Sequence, residues 1–200
     1  SRKRLENNQV EYLYVHANQL DQYRRYIETN MADILADVAI HVEDKSQLLH
    51  ITARGVVQDV LDGAELATGL ERGGSLVTHT VDFLFGQRTA LRHLVESASL
   101  DYDIYSHSVN VCVMSLALAQ RMGYPGERLI EFGTGALFRD VGLSKVDPKI
   151  VHNTGRLTEM EYEDIKRHPE LSEKLLVATH ITSPVTLDVV RHHHEKLDGS

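Results

Sequence analysis

The chain has 200 residues, 42% hydrophobic and 25% charged, a globular composition with material for one sizeable core or two small ones. Its 29 acidic and 21 basic residues leave a net charge of −8, which argues against a nucleic-acid polymer held by broad phosphate neutralisation. No apolar run approaches the ~20 residues of a membrane span. The one cysteine, Cys112, has no internal disulfide partner and sits between Val111 and Val113, which points to a buried thiol in a reducing, cytoplasmic compartment.

Taken in order, Ser1–Arg4 is a basic, frayed start, and a chain opening on Ser without a signal peptide reads as a fragment. Val10–Val15 is the one strand-like patch. A helix is predicted from Leu20 to Ala39, with Tyr23, Tyr26, Ile27, Ile34, Leu35 and Val38 as its apolar stripe. A second spans Asp44–Leu61, its apolar pairs recurring every four residues until Asp62-Gly63 ends it. Gly73-Gly74 is expected to break the chain, after which Ser75 caps a third helix reaching Val95. A fourth runs from Asp103 to Met122 and closes in the turn Gly123–Gly126. Glu127–Leu137 makes a short helix. Thr158 and Glu161 form a capping box for a helix that stops before Pro169. Glu170–Thr179 makes another, and Ser183-Pro184 opens the last, Pro184 to Glu195. The expected fold is all-α, with an N-terminal helical region over residues 1–100 and the chemistry-bearing part over 101–200.

The 12 histidines are about two to three times ordinary usage. Asp103 and His107 lie one helical turn apart and can reach one cation, although an isolated pair at this spacing is more often a surface Asp–His contact. Asp140 follows the apolar run Ala136-Leu137-Phe138, where a half-buried carboxylate needs a cation or several donors. His168 stands directly before Pro169. In His192-His193-His194, successive helical positions differ by about 100°, so two of the three can face one site, and His193 and His194 are the choice. An ordered set of nitrogen and oxygen donors of this kind fits a multi-metal hydrolase with Fe or Mn.

Residues 102–200 resemble the HD-GYP domain, a bacterial branch of the HD metal-dependent phosphohydrolases. The likeness rests on four stretches. Tyr105–Val111 is similar to the family's first histidine segment, and Phe138–Gly142 stands where its His-Asp doublet falls. Gly155–Thr158 through His168-Pro169-Glu170 resembles "G-x-L-T…E…H-P". His193–Ser200 resembles "H-H-E-x-x-D-G-S", the lead into the Gly-Tyr-Pro signature, which lies beyond Ser200. Gly123-Tyr124-Pro125 is a decoy in the wrong place. The resemblance implies an HD-like helical bundle and a cyclic dinucleotide, cyclic di-guanylate, as ligand. It also implies divalent-metal ligands at Asp103, His107, Asp140, His168, His193 and His194, with Asp140 the catalytic, bridging carboxylate.

Arg139 replaces the doublet's histidine, and a guanidinium has no lone pair for a metal. Leu143 stands where a lysine is common, with Lys145 the nearest substitute, so Arg139 and Lys145 are assigned to substrate. Two unit charges 4 Å apart at an effective dielectric near 20 interact by roughly 4 kcal/mol, enough for Arg139 to supply part of a metal's charge beside Asp140. The expectation is a first metal site lost or weak and a second one kept at Asp140, His168, His193 and His194. Whether hydrolysis survives is open on these residues: the alternatives are a phosphodiesterase, a nucleotide-binding signalling module without turnover, and a scaffold that forms a homodimer through its N-terminal helices.

Overall fold

The computed structural model describes residues 8, 14–87, 89–98, 103–196 and 198. Among them no strand occurs. The helices are α1 (Leu20–Thr29), α2 (Met31–Ala36), α3 (Val42–Leu61), α4 (Leu66–Gly86), α5 (Ala90–Ala98), α6 (Ile104–Arg121), α7 (Gly126–Phe138), α8 (Pro148–Val151), α9 (Glu159–Lys166), α10 (His168–Ala178) and α11 (Pro184–His192). A 3-10 turn precedes α1 at Ala17–Gln19, and a second, Val141–Lys145, follows α7. Ser1–Arg4 and most of Val10–Val15 lie outside the described residues, and Tyr14 and Val15 are irregular and exposed.

One core runs through the described chain. Met31, Leu49, Leu94, Leu116, Leu129, Phe138 and Leu176 are among its fully buried members. Helix α7 lies at its centre, packed on α4, α6 and α11. Removing a side chain such as Phe138 from this setting costs about 3–5 kcal/mol.

Three elements differ from expectation. The single helix over 20–39 is two, because the backbone turns at Asn30 and α2 ends at Ala36. Of its expected stripe only Ile27 is buried, whereas Tyr26 is 62% and Val38 98% exposed. Gly73-Gly74 does not interrupt the chain: α4 runs straight through. The reason is tertiary, since a Cβ on Gly73 would collide with the Phe138 ring. The glycine lets α4 approach the end of α7, so what reads locally as a breaker is a packing device. Finally, the third helix stops at Gly86 and α5 is a separate helix, so Val95 belongs to α5.

Local signals hold where the chemistry is local. Thr158 accepts from the Glu161 N–H and Glu161 accepts from the Thr158 N–H, closing the capping box of α9. Ser183 caps α11 with Pro184 in its first turn, and Gly123 takes φ +83 in the turn after α6.

Candidate metal centre

The end of α7 delivers Arg139 and Asp140 into the protein, both under 10% exposed. The following 3-10 turn is clamped onto α10: the Gly142 N–H donates to Ser172 Oγ at 2.7 Å. Any Cβ on Gly142 would strike the His168 carbonyl, so the glycine permits the approach that sets Asp140 beside His168. Helix α11 is tied to α7 by Thr186 Oγ1, which donates to the Glu131 carbonyl at 2.8 Å. That bond brings the residues just beyond α11, His193 and His194, to the same point. They lie past the last helical residue, His192, and not inside a helix reaching Glu195.

Asp140, His168, His193 and His194 can each offer a ligand atom with all four within 4.8 Å of one another. The His168 and His193 ring centroids are 5.1 Å apart, and those of His193 and His194 are 4.2 Å apart. His168 Nδ1–H donates to the Ile165 carbonyl at 2.7 Å, and His193 Nδ1–H donates to the Val190 carbonyl at 2.8 Å. Those bonds select the tautomer and leave each Nε2 as a lone pair. Yet the two Nε2 atoms face each other at 3.0 Å and stand 3.3 and 3.4 Å from Asp140 Oδ1. Two lone pairs and a carboxylate oxygen converging in a buried space repel unless a cation lies among them. The donor set, three imidazoles and one carboxylate, fits a divalent metal.

Asp140 is divided between two kinds of cation. Its Oδ2 is 2.8 Å from Arg139 Nη2, and Arg139 Nη1 also donates to the Ala136 carbonyl at 2.9 Å. Arg139 therefore points inward and occupies the oxygen that a bridging role would need. Burial by itself would raise the Asp140 pKa, but the Arg139 guanidinium 2.8 Å away opposes it and favours the ionised carboxylate. Desolvation lowers the His194 pKa and favours the neutral imidazole, which has a lone pair to offer.

The remaining expected site residues lie elsewhere. Asp103 is the N-cap of α6, accepting from the Ser106 N–H at 2.8 Å, and pairs with Arg54, whose Nε lies 3.1 Å from Oδ2. It is thus committed to a cap and an ion pair rather than grouped with the four. His107 is exposed on α6 and lines the same cleft without joining the group. Lys145 is exposed at the end of the 3-10 turn and does not line the cleft.

The cleft, about 750 Å³, is also bordered by Asp188 and His192. Their side chains meet at 2.9 Å, one turn apart on α11. The same one-turn spacing that singles out Asp103 and His107 marks this pair in the sequence.

The family model for the HD domain matches residues 83–200, more than half of the chain. A cyclic di-GMP phosphodiesterase of Pseudomonas aeruginosa is 30% identical over 168 residues, 82% of this chain and 41% of the relative. The cyclic di-GMP phosphodiesterase PdeB of Borreliella burgdorferi is 31% identical over 106 residues, 53% of this chain and 27% of the relative. A 3'3'-cGAMP-specific phosphodiesterase of Vibrio cholerae is 32% identical over 96 residues, 48% of this chain and 22% of the relative. The chain thus spans less than half the length of these curated relatives. Among solved structures, the HDG"Y"P protein Bd1817 from Bdellovibrio bacteriovorus superposes with a TM-score of 0.74 at 18% identity, covering 94% of this chain and 62% of that one. The chain belongs to the HD domain family, and its similarities run to the HD-GYP branch.

Proposed function

We propose that this chain is an HD-GYP-type phosphohydrolase domain that takes a cyclic dinucleotide, cyclic di-guanylate in the first instance, at a single divalent metal, Fe or Mn. The facing Nε2 lone pairs of His168 and His193 carry this reading. Asp140, His168, His193 and His194 would hold the ion, and the cyclic di-GMP phosphodiesterases among the relatives supply the substrate class. A metal there would polarise a phosphodiester oxygen and acidify water. The protein's own part is to fix the two imidazole tautomers through Ile165 and Val190 and to keep Asp140 ionised. Arg139, already inside the cleft, adds a permanent positive charge toward a phosphate.

A second reading, binding without turnover, is favoured by one observation: Arg139 Nη2 holds Asp140 Oδ2, the oxygen available to a second ion. Incubation with Mn²⁺ or Fe²⁺ and cyclic di-guanylate separates the two. Linear dinucleotide product supports the enzyme, saturable binding without product supports the sensor, and the absence of both product and binding refutes both readings.

The reading includes a homodimer through the N-terminal helices, supported by exposed Leu20, Tyr23 and Tyr26 on α1, and sedimentation of the chain over a concentration series tests it. A reducing, cytoplasmic setting suits Cys112, buried and free.

A further inference from the structure

A second cavity adjoins the metal cleft. It has a volume of about 350 Å³ and is lined by Asp62, Tyr105, Pro148, Val151 and His152, among others. Ile104 and Leu143 line both this cavity and the metal cleft, so the two adjoin at these residues. Its volume is at the small end of ligand sites, suited to one heterocyclic base and too small for a whole dinucleotide. The walls are mixed in the manner of a base pocket, with apolar Leu143, Pro148 and Val151 beside two rings and one carboxylate.

That carboxylate has a defined free edge. Tyr105 O–H donates to Asp62 Oδ1 at 2.8 Å. Burial, and then the Asp62 carboxylate, push the Tyr105 phenol up to about 12, so it stays a donor. Asp62, exposed and lining the cavity, takes no other side-chain hydrogen bond from the described residues, so Oδ2 is left as an acceptor. Of the purine Watson–Crick edges, guanine offers two adjacent N–H donors, which suit a carboxylate. Adenine presents a lone pair at N1, which a carboxylate repels.

We infer that the cavity between Asp62, Tyr105 and Val151 is a guanine subsite, which holds one base of a cyclic dinucleotide whose phosphodiester lies at the neighbouring metal centre. This inference rests on the function proposed above and adds base selection to it. The subsite lies at the seam where the end of α3 (Leu61) and the following turn (Asp62, Gly63) meet the start of α6 and the segment Leu143–His152. A bound base would therefore touch both the N-terminal helices and the metal-bearing half of the chain.

The test is calorimetric titration of the Mn²⁺-loaded chain with cyclic di-guanylate and cyclic di-adenylate, with Mn²⁺ content measured separately. Asp62→Asn keeps an oxygen for Tyr105 but turns an amide N–H₂ toward the base, and it should weaken cyclic di-guanylate binding about tenfold or more. It should also shrink the preference over cyclic di-adenylate. Val151→Trp, which fills the cavity, should weaken both ligands. Mn²⁺ content should be unchanged in each variant. Wild-type affinity for cyclic di-guanylate in both variants would overturn the subsite and leave the metal-centre reading standing. Loss of Mn²⁺ binding by the wild type, or no dinucleotide binding despite it, would overturn both.

Discussion

His168 and His193 place their Nε2 atoms 3.0 Å apart while each donates its Nδ1 proton to a backbone carbonyl. The arrangement commits two lone pairs to one small volume, beside Asp140 Oδ1. Positioning comes from the backbone: the last turns of α9 and α11 supply the Ile165 and Val190 carbonyls, and Ser172 and Thr186 hold the three segments together.

The proposal of a single ion rests on Arg139, which gives the first prediction. Replacing it by histidine (Arg139→His) frees Asp140 Oδ2 and supplies an imidazole in place of a guanidinium. Metal analysis should show an increase from about one ion per chain toward two. An unchanged ratio would mean that Arg139 is not what restricts the site.

Gly73 and Gly74 are neighbours in α4 with opposite expected behaviour. Alanine favours a helix interior over glycine by about 1 kcal/mol, and a Cβ on Gly74 meets nothing within 4 Å. Gly74→Ala should therefore raise stability by about 0.5–1 kcal/mol. Gly73→Ala drives a methyl into Phe138 and should lower stability by about 1–3 kcal/mol. Urea unfolding of the two variants decides it, and equal shifts would refute the packing role of Gly73.

Asp103 gives the pH dependence. Burial opposes ionisation there, but the Ser106 N–H and Arg54 outweigh it and lower its pKa below the ordinary 3.8. A carboxylate depressed in the folded state contributes stability that is fully present above the unfolded value and is lost as pH falls through the folded one. Asp103→Ala should cost about 1 kcal/mol at pH 7, as for other lost caps, with a smaller difference from wild type below pH 3.8. A gap that stays constant over that range would show that the charge contributes nothing.

Ser172 is the hidden support of the centre. Ser172→Ala leaves the buried Gly142 N–H without its acceptor, at a cost of about 1–3 kcal/mol. Because that bond holds Asp140 toward His168, Mn²⁺ affinity should fall as well. A loss of stability with unaltered Mn²⁺ affinity would confine Ser172 to the scaffold.

What the sequence discloses divides by range. Thr158 with Glu161, Ser183 with Pro184, and Gly123 act within a few residues of themselves, and their caps and turn are where the pattern predicts. Gly73 is misread because its partner, Phe138, is 65 positions away and nothing local distinguishes a breaker from a contact. The α1 stripe is misread because an apolar face does not say whether the chain itself covers it. Within the site, Asp140, His168, His193 and His194 lie together, while Asp103 and His107 of the six residues that the resemblance implies do not join them. The capping role of Asp103 was open to local reasoning, since an aspartate directly before a helix is an ordinary N-cap. Its pairing with Arg54, 49 positions earlier, was not.

Everything proposed for this chain depends on an ion held by Asp140 and three imidazoles. Metal content of the chain after Mn²⁺ loading and desalting tests it most directly, alongside the double variant His168→Ala, His193→Ala. The expected result is about one Mn²⁺ per wild-type chain and none in the double variant. No retained metal in the wild type, or the same amount in both proteins, would contradict the account.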